Sequence, residues 1–255
     1  MDKGIRRIHA MDELRGLLIL LMVCHHALYT LGHLFDVEWA RTVERVVVYP
    51  IQSLGAGLFI LLCGISCHLS HNNWKRGGLL ALVAVGLSAV LWVVMPDQMI
   101  WFGILHCLAV CILLFALCRP LLNHVPPWLG LIVCAVGLLN TWWLPPGEGG
   151  FFGIPGLYGV HLPASVVQTP WLYPLGLGAG EGADYFPLLP WIFVFLAGTF
   201  LGVWARQGRF PEFLYKSRVR WLSWCGRHTL IIYILHQPVI YGICWLLFRV
   251  CGVTT

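Results

Sequence analysis

The sequence has little charge. Lys, Arg, Asp and Glu make up 11% of its 255 residues, whereas a soluble domain usually carries about 25%. Hydrophobic residues make up 59%, and the mean hydropathy is +0.79. A water-soluble fold would have to expose much of this apolar surface, so lipid is the favoured solvent. The net charge of +5 is modest and does not favour a nucleic-acid partner.

The chain also lacks a CxxC pair, although it contains 10 cysteines. Most of them lie in predicted helices as small packing residues and do not indicate a redox compartment. No internal repeat, low-complexity tract or soluble domain is visible, which predicts a single domain over residues 1–255. The first apolar segment opens with Asp12, Glu13 and Arg15 and has no small-residue cleavage site, so we do not expect a cleaved signal peptide.

Long apolar runs, in contrast, are abundant. Seven reach the ~17–25 residues that cross ~30 Å of hydrocarbon, and the second to the sixth contain no Asp, Glu, Lys or Arg. The predicted fold class is therefore all-α, a polytopic transmembrane helix bundle of about seven spans. The predicted spans are Leu14–Leu31, Val46–Cys67, Gly77–Met95, Met99–Cys118, Trp128–Leu144, Leu188–Ala205 and Thr229–Val250.

The basic residues outside these spans are unevenly distributed. With the N-terminus inside, twelve Lys and Arg fall on the inner side, from Lys3 to Arg227, and only Arg41, Arg45 and Arg249 fall outside. This positive-inside bias predicts a cytoplasmic N-terminus.

The segment Pro145–Pro187 then forms a long external loop. It has no Lys or Arg and is rich in Gly, Pro and aromatic residues. Its aromatic content argues against a disordered linker. We interpret it as a folded lid or vestibule, and the alternative is a loop that lies on the lipid interface.

Ionisable residues at bilayer depth are candidates for function, because burying them costs several kcal/mol without partners (about 3 kcal/mol or more). Arg15 and His26 are eleven residues apart on the first span, which places them about 20° from one helix face and about 16 Å apart along the axis. An extended ligand with an anionic head would fit this arrangement. The structural alternatives are a snorkelling Arg15 that pairs with Asp12, and a His26 that makes an interhelical hydrogen bond. His25 points about 100° away from His26, towards another neighbour or lipid.

Three further candidates lie in other segments. His106 is in the predicted fourth span, and His236 precedes Pro238 in the seventh, where the proline should free backbone carbonyls. Asp184 lies at the outer mouth of the sixth span, where it could also act as a helix-dipole anion. A structural role is an open alternative for each. His33 follows the first span, within reach of the same outer site. The other histidines, among them His68, are expected at the surface.

Several runs of this sequence resemble one known family. The runs Arg7–Gly16 and Leu21–His26 are similar to the opening of the heparan-α-glucosaminide N-acetyltransferase catalytic-domain family in its short bacterial form. Further runs agree over nearly the whole chain, and they are Gly57–Ser66, Phe102–His106, Ala183–Trp191 and Trp224–Pro238.

This resemblance implies transfer of an acyl group from cytoplasmic acyl-CoA, acetyl-CoA first, to an amine or hydroxyl of an extracytoplasmic sugar. The related bacterial membrane O-acyltransferases of surface polysaccharides use a similar Arg-to-His spacing, which implies a catalytic His26 and a donor-binding Arg15. The animal lysosomal branch places its catalytic histidine after the first span, which implies His33 as the reserve. Arg227 and its basic neighbours would add charge for the CoA phosphates.

The implied chemistry needs a base at neutral pH, which histidine can supply, either by deprotonating the acceptor or by carrying the acyl group. No metal is required, and the expected location is the bacterial cytoplasmic membrane. A polytopic transporter or carrier would use the same buried polar groups as a substrate path. A membrane haem protein with ligands among His26, His106 and His236 is a third alternative. The oligomeric state is open, with a homo-oligomer among the alternatives.

Overall fold

The computed structural model describes residues 6–180 and 184–250. Residues 249 and 250 are described by their backbone alone. Lys3, Glu181, Ala183 and the side chain of Arg249 therefore lie outside the described residues. Within them the chain is mostly helical, as predicted. The helices are α1 (His9–Tyr29), α2 (Glu38–Val43), α3 (Tyr49–Leu69), α4 (Asn73–Val94), α5 (Ile104–Leu122), α6 (Pro127–Thr141), α7 (Ala164–Val167), α8 (Leu188–Arg206), α9 (Arg220–Arg227) and α10 (Thr229–Trp245).

Six stretches of the described chain are long and apolar enough to cross a membrane, which confirms the polytopic helical fold class. They are His9–Leu34, Glu38–Leu69, Asn73–Val94, Ile104–Leu122, Leu188–Arg206 and Thr229–Phe248. The segment predicted as Trp128–Leu144 is the shorter α6, with 15 residues. At 1.5 Å per residue α6 is about 22 Å long, less than the ~30 Å of hydrocarbon. Large apolar side chains point outwards along these helices, for example Leu82 and Val93 of α4, at 71% and 79% exposed, as a lipid solvent allows.

Three helices of the chain are extended by π-helical turns. One turn, Thr30–Leu34, continues α1, another, Glu44–Val48, joins α2 to α3, and a third, Leu246–Val250, continues α10. Such turns shift the side-chain register by one residue and are frequent at functional sites. The first of these turns carries His33 and the second carries Glu44.

The chain divides into two compact units: residues 1–59 with 210–255, and residues 60–209. The prediction of a single domain stays a prediction.

In the first unit, α1 packs along α9 and α10. The contact between α1 and α9 is backbone to backbone: a Cβ on Gly16 would lie 2.0 Å from the Leu222 carbonyl oxygen, and one on Gly226 would lie 1.8 Å from the Asp12 carbonyl oxygen. Only glycine permits so close an approach.

In the second unit, α4 packs on α5, and α8 packs on α5 and α6. The end of α3 crosses α8 closely, because a Cβ on Gly64 would lie 2.1 Å from the Phe195 carbonyl oxygen, and one on Gly198 would lie 2.1 Å from that of Leu61. The buried core of this unit includes the aromatic side chains of Phe115 and Phe195.

The long loop of the second unit is folded. Strands β1 (Phe151–Ile154) and β2 (Tyr158–His161) form an antiparallel hairpin with Phe151 opposite His161. A 3₁₀ turn at Pro170–Leu175 follows α7, and its Tyr173 ring stacks on Tyr185 at 4.2 Å between centroids. Burial raises the pKa of Tyr173 to about 12 and that of Tyr185 further, so both phenols are neutral. Trp171 is 88% exposed, so both interpretations of the loop's outer surface stay open.

Candidate active site

The C-terminal half of α1, its π-helical turn, the turn before α3 and the middle of α10 bring polar side chains together in the first unit. Four of the sequence-predicted or neighbouring histidines belong to this group, with one carboxylate. We call the group the histidine cluster, and it consists of His25, His26, His33, Glu44 and His236.

Glu44 is the charged centre of the histidine cluster. Its side chain is 2% exposed, and its Oε2 lies 2.9 Å from His33 Nε2. Its Oε1 lies 3.4 Å from His25 Nε2 but forms no hydrogen bond to the described residues. A buried carboxylate is costly unless it is paired and hydrogen-bonded, so the two imidazoles account for its position.

The Glu44 contact fixes the orientation and the tautomer of His33. A carboxylate can only accept, so His33 Nε2–H donates and Nδ1 carries the lone pair. The His33 side chain is 40% exposed, so its ring is not enclosed by the rest of the described residues. A histidine oriented by a carboxylate in this way is the arrangement that many enzymes use to hold a general base.

His26 and His236 form a second pair in the histidine cluster. Their ring centroids are 4.8 Å apart in an edge-to-face arrangement. His236 Nδ1 lies 2.5 Å from the Tyr233 carbonyl oxygen, and since a carbonyl only accepts, Nδ1 donates. His236 Nε2 therefore carries a lone pair, and this buried atom has no hydrogen-bond partner among the described residues.

The neighbours of His236 connect α10 to the end of α1. Gln237 Nε2 donates to Thr30 Oγ1 at 2.9 Å, and Thr30 is fully buried. Gln237 Oε1 is buried without a hydrogen-bond partner among the described residues. Gln237 Oε1 is thus a third buried acceptor atom beside the two in the histidine cluster, Glu44 Oε1 and His236 Nε2. A ligand or water with N–H or O–H groups could satisfy all three.

The N-terminal end of α1 is a second polar region of the same unit. Asp12 is buried and accepts from Arg7 at 2.6 and 2.9 Å and from Arg15 Nη1 at 3.4 Å. The predicted pairing of Arg15 with Asp12 is therefore present. Arg227, at the end of α9, is exposed.

Glu13 has a structural task that the sequence did not reveal. Its Oε1 accepts from the backbone N–H groups of Arg218 and Val219 at 2.7 and 2.9 Å. These N–H groups precede α9, so Glu13 fixes the start of that helix against α1 and satisfies donors that a helix leaves unpaired.

His106 and Asp184 lie together in the second unit, at the start of α5. His106 Nδ1 accepts from the Gly103 N–H at 3.3 Å, and its Nε2 lies 3.4 Å from Ser88 Oγ. Asp184 Oδ2 lies 3.4 Å from the Ile104 nitrogen. These are the contacts of a helix N-terminal cap, which favours the structural interpretation, and a catalytic role for either residue stays a prediction.

One expectation needs correction. His68, expected at the surface, is 7% exposed, because its ring packs against Phe115 at 5.2 Å between centroids. Helix α10 continues through Pro238, which has no backbone N–H to donate to the Ile234 carbonyl oxygen. His25 does face a different neighbour from His26, and that neighbour is Glu44.

Sequence reasoning missed Glu44 and Gln237. Glu44 stands two residues before the predicted second span, and a span predicted from hydropathy excludes charged residues at its ends. The available signal was a lone acid beside an apolar run, eleven residues after His33. Among the described residues, no group of three or more His, Cys, Asp or Glu is arranged to hold a metal ion. The direct contact of the His26 and His236 rings does not favour an iron between them.

A membrane-spanning helical fold with a buried histidine–carboxylate cluster defines a class, the polytopic membrane proteins with a polar site at bilayer depth. The family profile described as "Heparan-alpha-glucosaminide N-acetyltransferase, catalytic" matches residues 7–238. The chain therefore belongs to this family, which supports a membrane acetyltransferase. Comparison with curated proteins and with solved structures gave no match.

Proposed function

We propose that the protein transfers an acetyl group from cytoplasmic acetyl-CoA to an amine or hydroxyl of an extracytoplasmic sugar, in a bacterial cytoplasmic membrane. Membership of the acetyltransferase family supports the reaction class. The observation that carries the proposal is the contact of 2.9 Å between His33 Nε2 and the buried carboxylate of Glu44. Burying an acidic side chain in a membrane span is unfavourable in free energy, so such a residue is expected to have a function.

In this reaction His33 acts as the general base. Its Nδ1 takes the proton from the acceptor amine or hydroxyl, while Glu44 stabilises the imidazolium that forms. The acceptor atom attacks the thioester carbonyl, the new C–N or C–O bond forms and the C–S bond breaks. The proton then passes from His33 to the leaving thiolate of CoA.

The His26–His236 pair offers a second base or nucleophile. The lone pair on His236 Nε2 is buried and without a described partner, and His26 packs against that ring. Under this alternative His26, the residue implied by the O-acyltransferase resemblance, either removes the proton or carries the acetyl group as an acyl-imidazole before the acceptor attacks.

The inner end of α1 offers a contact to one donor phosphate under the proposed orientation. Arg15 lies about 16 Å along the helix from His26, and Asp12 keeps Arg7 as a partner if Arg15 turns to a phosphate. Arg227 is an exposed second cation on α9. An extended acetyl-CoA would then place one of its phosphates at Arg15 and its thioester towards the histidine cluster.

The test is an assay of the purified protein in detergent. We expect acetyl-CoA to release free thiol only when an amino sugar or a neutral sugar is added, and mass spectrometry should show the acetylated product. His33→Ala and Glu44→Gln should lose this activity, whereas His71→Ala, an exposed histidine, should retain it. A wild-type protein that acetylates neither type of sugar, but moves a sugar across vesicles, would establish the carrier alternative instead.

A further inference from the structure

The charges of the second unit are separated along its helices. Its five Lys and Arg lie where α3, α5 and α8 end and α4 begins, and they are Lys75, Arg76, Arg119, Arg206 and Arg209. The described acids of this unit lie at the opposite helix ends: Asp97 follows α4, Glu148 follows α6 and Asp184 precedes α8. No carboxylate of a described residue is paired with any of the five cations.

A positive-inside anchor would explain exposed members of this set, but it does not explain Arg76. A snorkelling arginine directs its guanidinium out of the helix end towards water. Arg76 does the opposite: its Nη2 lies 3.1 Å from Cys63 Sγ, and its Nη1 lies 3.8 Å from Cys67 Sγ. Cys63 precedes the end of α3 by six residues, about 9 Å into the bundle.

The contacts of Arg76 do not balance its charge. Thiols are weak acceptors, and a guanidinium at bilayer depth without an anion is costly. Its planar fork of N–H donors matches the oxygens of a phosphate. An anionic group that contacts Arg76 would therefore supply the negative charge that the two thiols do not.

Two further arginines stand at the same end of the unit, on either side of the buried His68. Phe115 packs on the His68 ring, and Arg119 follows it by one turn of α5. A Cβ on Gly202 would lie 3.2 Å from His68 Cδ2, and Arg206 follows by one turn of α8. Residues four apart share a helix face, and the charges of both arginines act on the His68 imidazole.

We propose that this end of the second unit, formed by Arg76, Arg119, Arg206 and His68, binds a phosphate-bearing ligand. The shared chemistry is a phosphate monoester or diester, which either the CoA donor or an anionic phospholipid headgroup supplies. The CoA source rests on the proposed function, and the lipid source does not.

The test compares wild-type protein with Arg76→Gln, Arg119→Gln and Lys75→Gln in dodecyl maltoside micelles, which carry no phosphate. Lys75 is the matched control, because it is exposed and adjacent to Arg76, and its replacement removes the same charge. The probes are CoA, 3′-dephospho-CoA and pantetheine, which lacks phosphate. In parallel, the melting temperature is measured with and without phosphatidylglycerol.

If CoA is the ligand, Arg76→Gln should weaken CoA binding roughly ten- to a hundredfold, the effect of losing one charge-assisted hydrogen bond. Pantetheine binding and the Lys75→Gln variant should be unchanged. If the headgroup is the ligand, phosphatidylglycerol should raise the melting temperature of the wild type and of Lys75→Gln but not of Arg76→Gln. If Arg76→Gln does not fold, the same measurements are made on Arg119→Gln, whose replaced residue lies near the end of α5.

Equal CoA binding and equal phosphatidylglycerol stabilisation in wild type and both arginine variants would overturn the phosphate site. That outcome leaves the proposed function intact if the wild type still acetylates a sugar. Conversely, a wild type without acetyl transfer whose lipid stabilisation depends on Arg76 would end the proposed function and support the site.

Discussion

Glu44 and His33 are joined by a contact of 2.9 Å between carboxylate and imidazole, with the carboxylate buried and the histidine partly open. Each stands on a π-helical turn, one continuing α1 and the other leading into α3. A π-helical turn changes the direction in which the following side chains point. Both partners of this contact thus lie on irregular helix, as is usual for functional residues.

Replacing Glu44 by Gln should lower kcat strongly and change the melting temperature little. The amide keeps the shape of the carboxylate but no longer stabilises an imidazolium at His33, so we expect a fall in kcat of about 10²–10⁴. Purified Glu44→Gln should elute and melt like the wild type, and acetyl-CoA turnover is the measurement. Glu38→Gln, an exposed acid on α2, is the control. A Glu44→Gln protein with wild-type kcat would remove Glu44 from the mechanism.

Separate alanine variants of His26 and His33 distinguish the two candidate bases. Loss of activity only in His33→Ala supports the Glu44-oriented base, and loss only in His26→Ala supports the base or nucleophile implied by the O-acyltransferase resemblance. The expected loss is about 10²–10⁴ in kcat for the true base, measured by product formation in both variants. CoA binding should persist in each, which shows that folding is intact.

His25 points away from His26 on α1, but its contact with Glu44 predicts an effect of its replacement on activity. The contact of 3.4 Å to Glu44 Oε1 helps to hold that carboxylate, so His25→Ala should reduce kcat by less than His33→Ala and by more than His71→Ala. An inactive His25→Ala with an active His33→Ala would instead make His25 the histidine that Glu44 serves.

Hydropathy and charge were sufficient to predict the helical membrane fold, because a span must be a long apolar helix. They predicted the ends of α1, α4 and α8 to within about five residues. They did not predict the length of α6, since Trp142, Trp143 and Leu144 continue the apolar pattern but the helix ends at Thr141.

The candidate site was predicted only in part. His26 and His236 were indicated because an ionisable residue inside a predicted span is visible in the sequence, and His33 was indicated by its position after the first span and by the family resemblance. Glu44 was not indicated, since its role depends on the tertiary approach of α1 to the π-helical turn before α3. The structural tasks of Glu13 and Asp184 were hidden for the same reason: each satisfies the start of a helix that lies far away in sequence.

The glycine contact between α1 and α9 predicts a stability effect. Gly226→Ala would place a Cβ 1.8 Å from the Asp12 carbonyl oxygen, so the helices must separate, at a cost of about 1–3 kcal/mol or more. Gly242→Ala in α10 meets nothing within 4 Å and should be neutral or slightly stabilising. Thermal unfolding in detergent measures both, and equal melting temperatures would show that α9 does not hold α1 in this way.

The topology can be tested with reporters that distinguish the two sides of the membrane. A fusion after Gly150, in the long loop, should read as extracytoplasmic, and a fusion after Arg209 should read as cytoplasmic, because basic loops are retained inside. The opposite pair of readings would reverse the orientation, and with it the proposed sides of the donor and acceptor.

Arg15 provides the last test, since two interpretations of it make different predictions. If Arg15 binds a donor phosphate, Arg15→Ala should weaken CoA binding about tenfold or more, and Arg15→Lys should restore only part of it, because lysine offers a point charge instead of a planar fork. If Arg15 is only an anchor paired with Asp12, at 3.4 Å, both variants should bind CoA like the wild type. Arg7→Ala is the matched control, because it removes the other partner of Asp12 and should leave CoA binding unchanged. Titration calorimetry with CoA on the four proteins decides the question, and a loss in Arg7→Ala equal to that in Arg15→Ala would mean that Asp12 pairing, and not phosphate contact, supports donor binding.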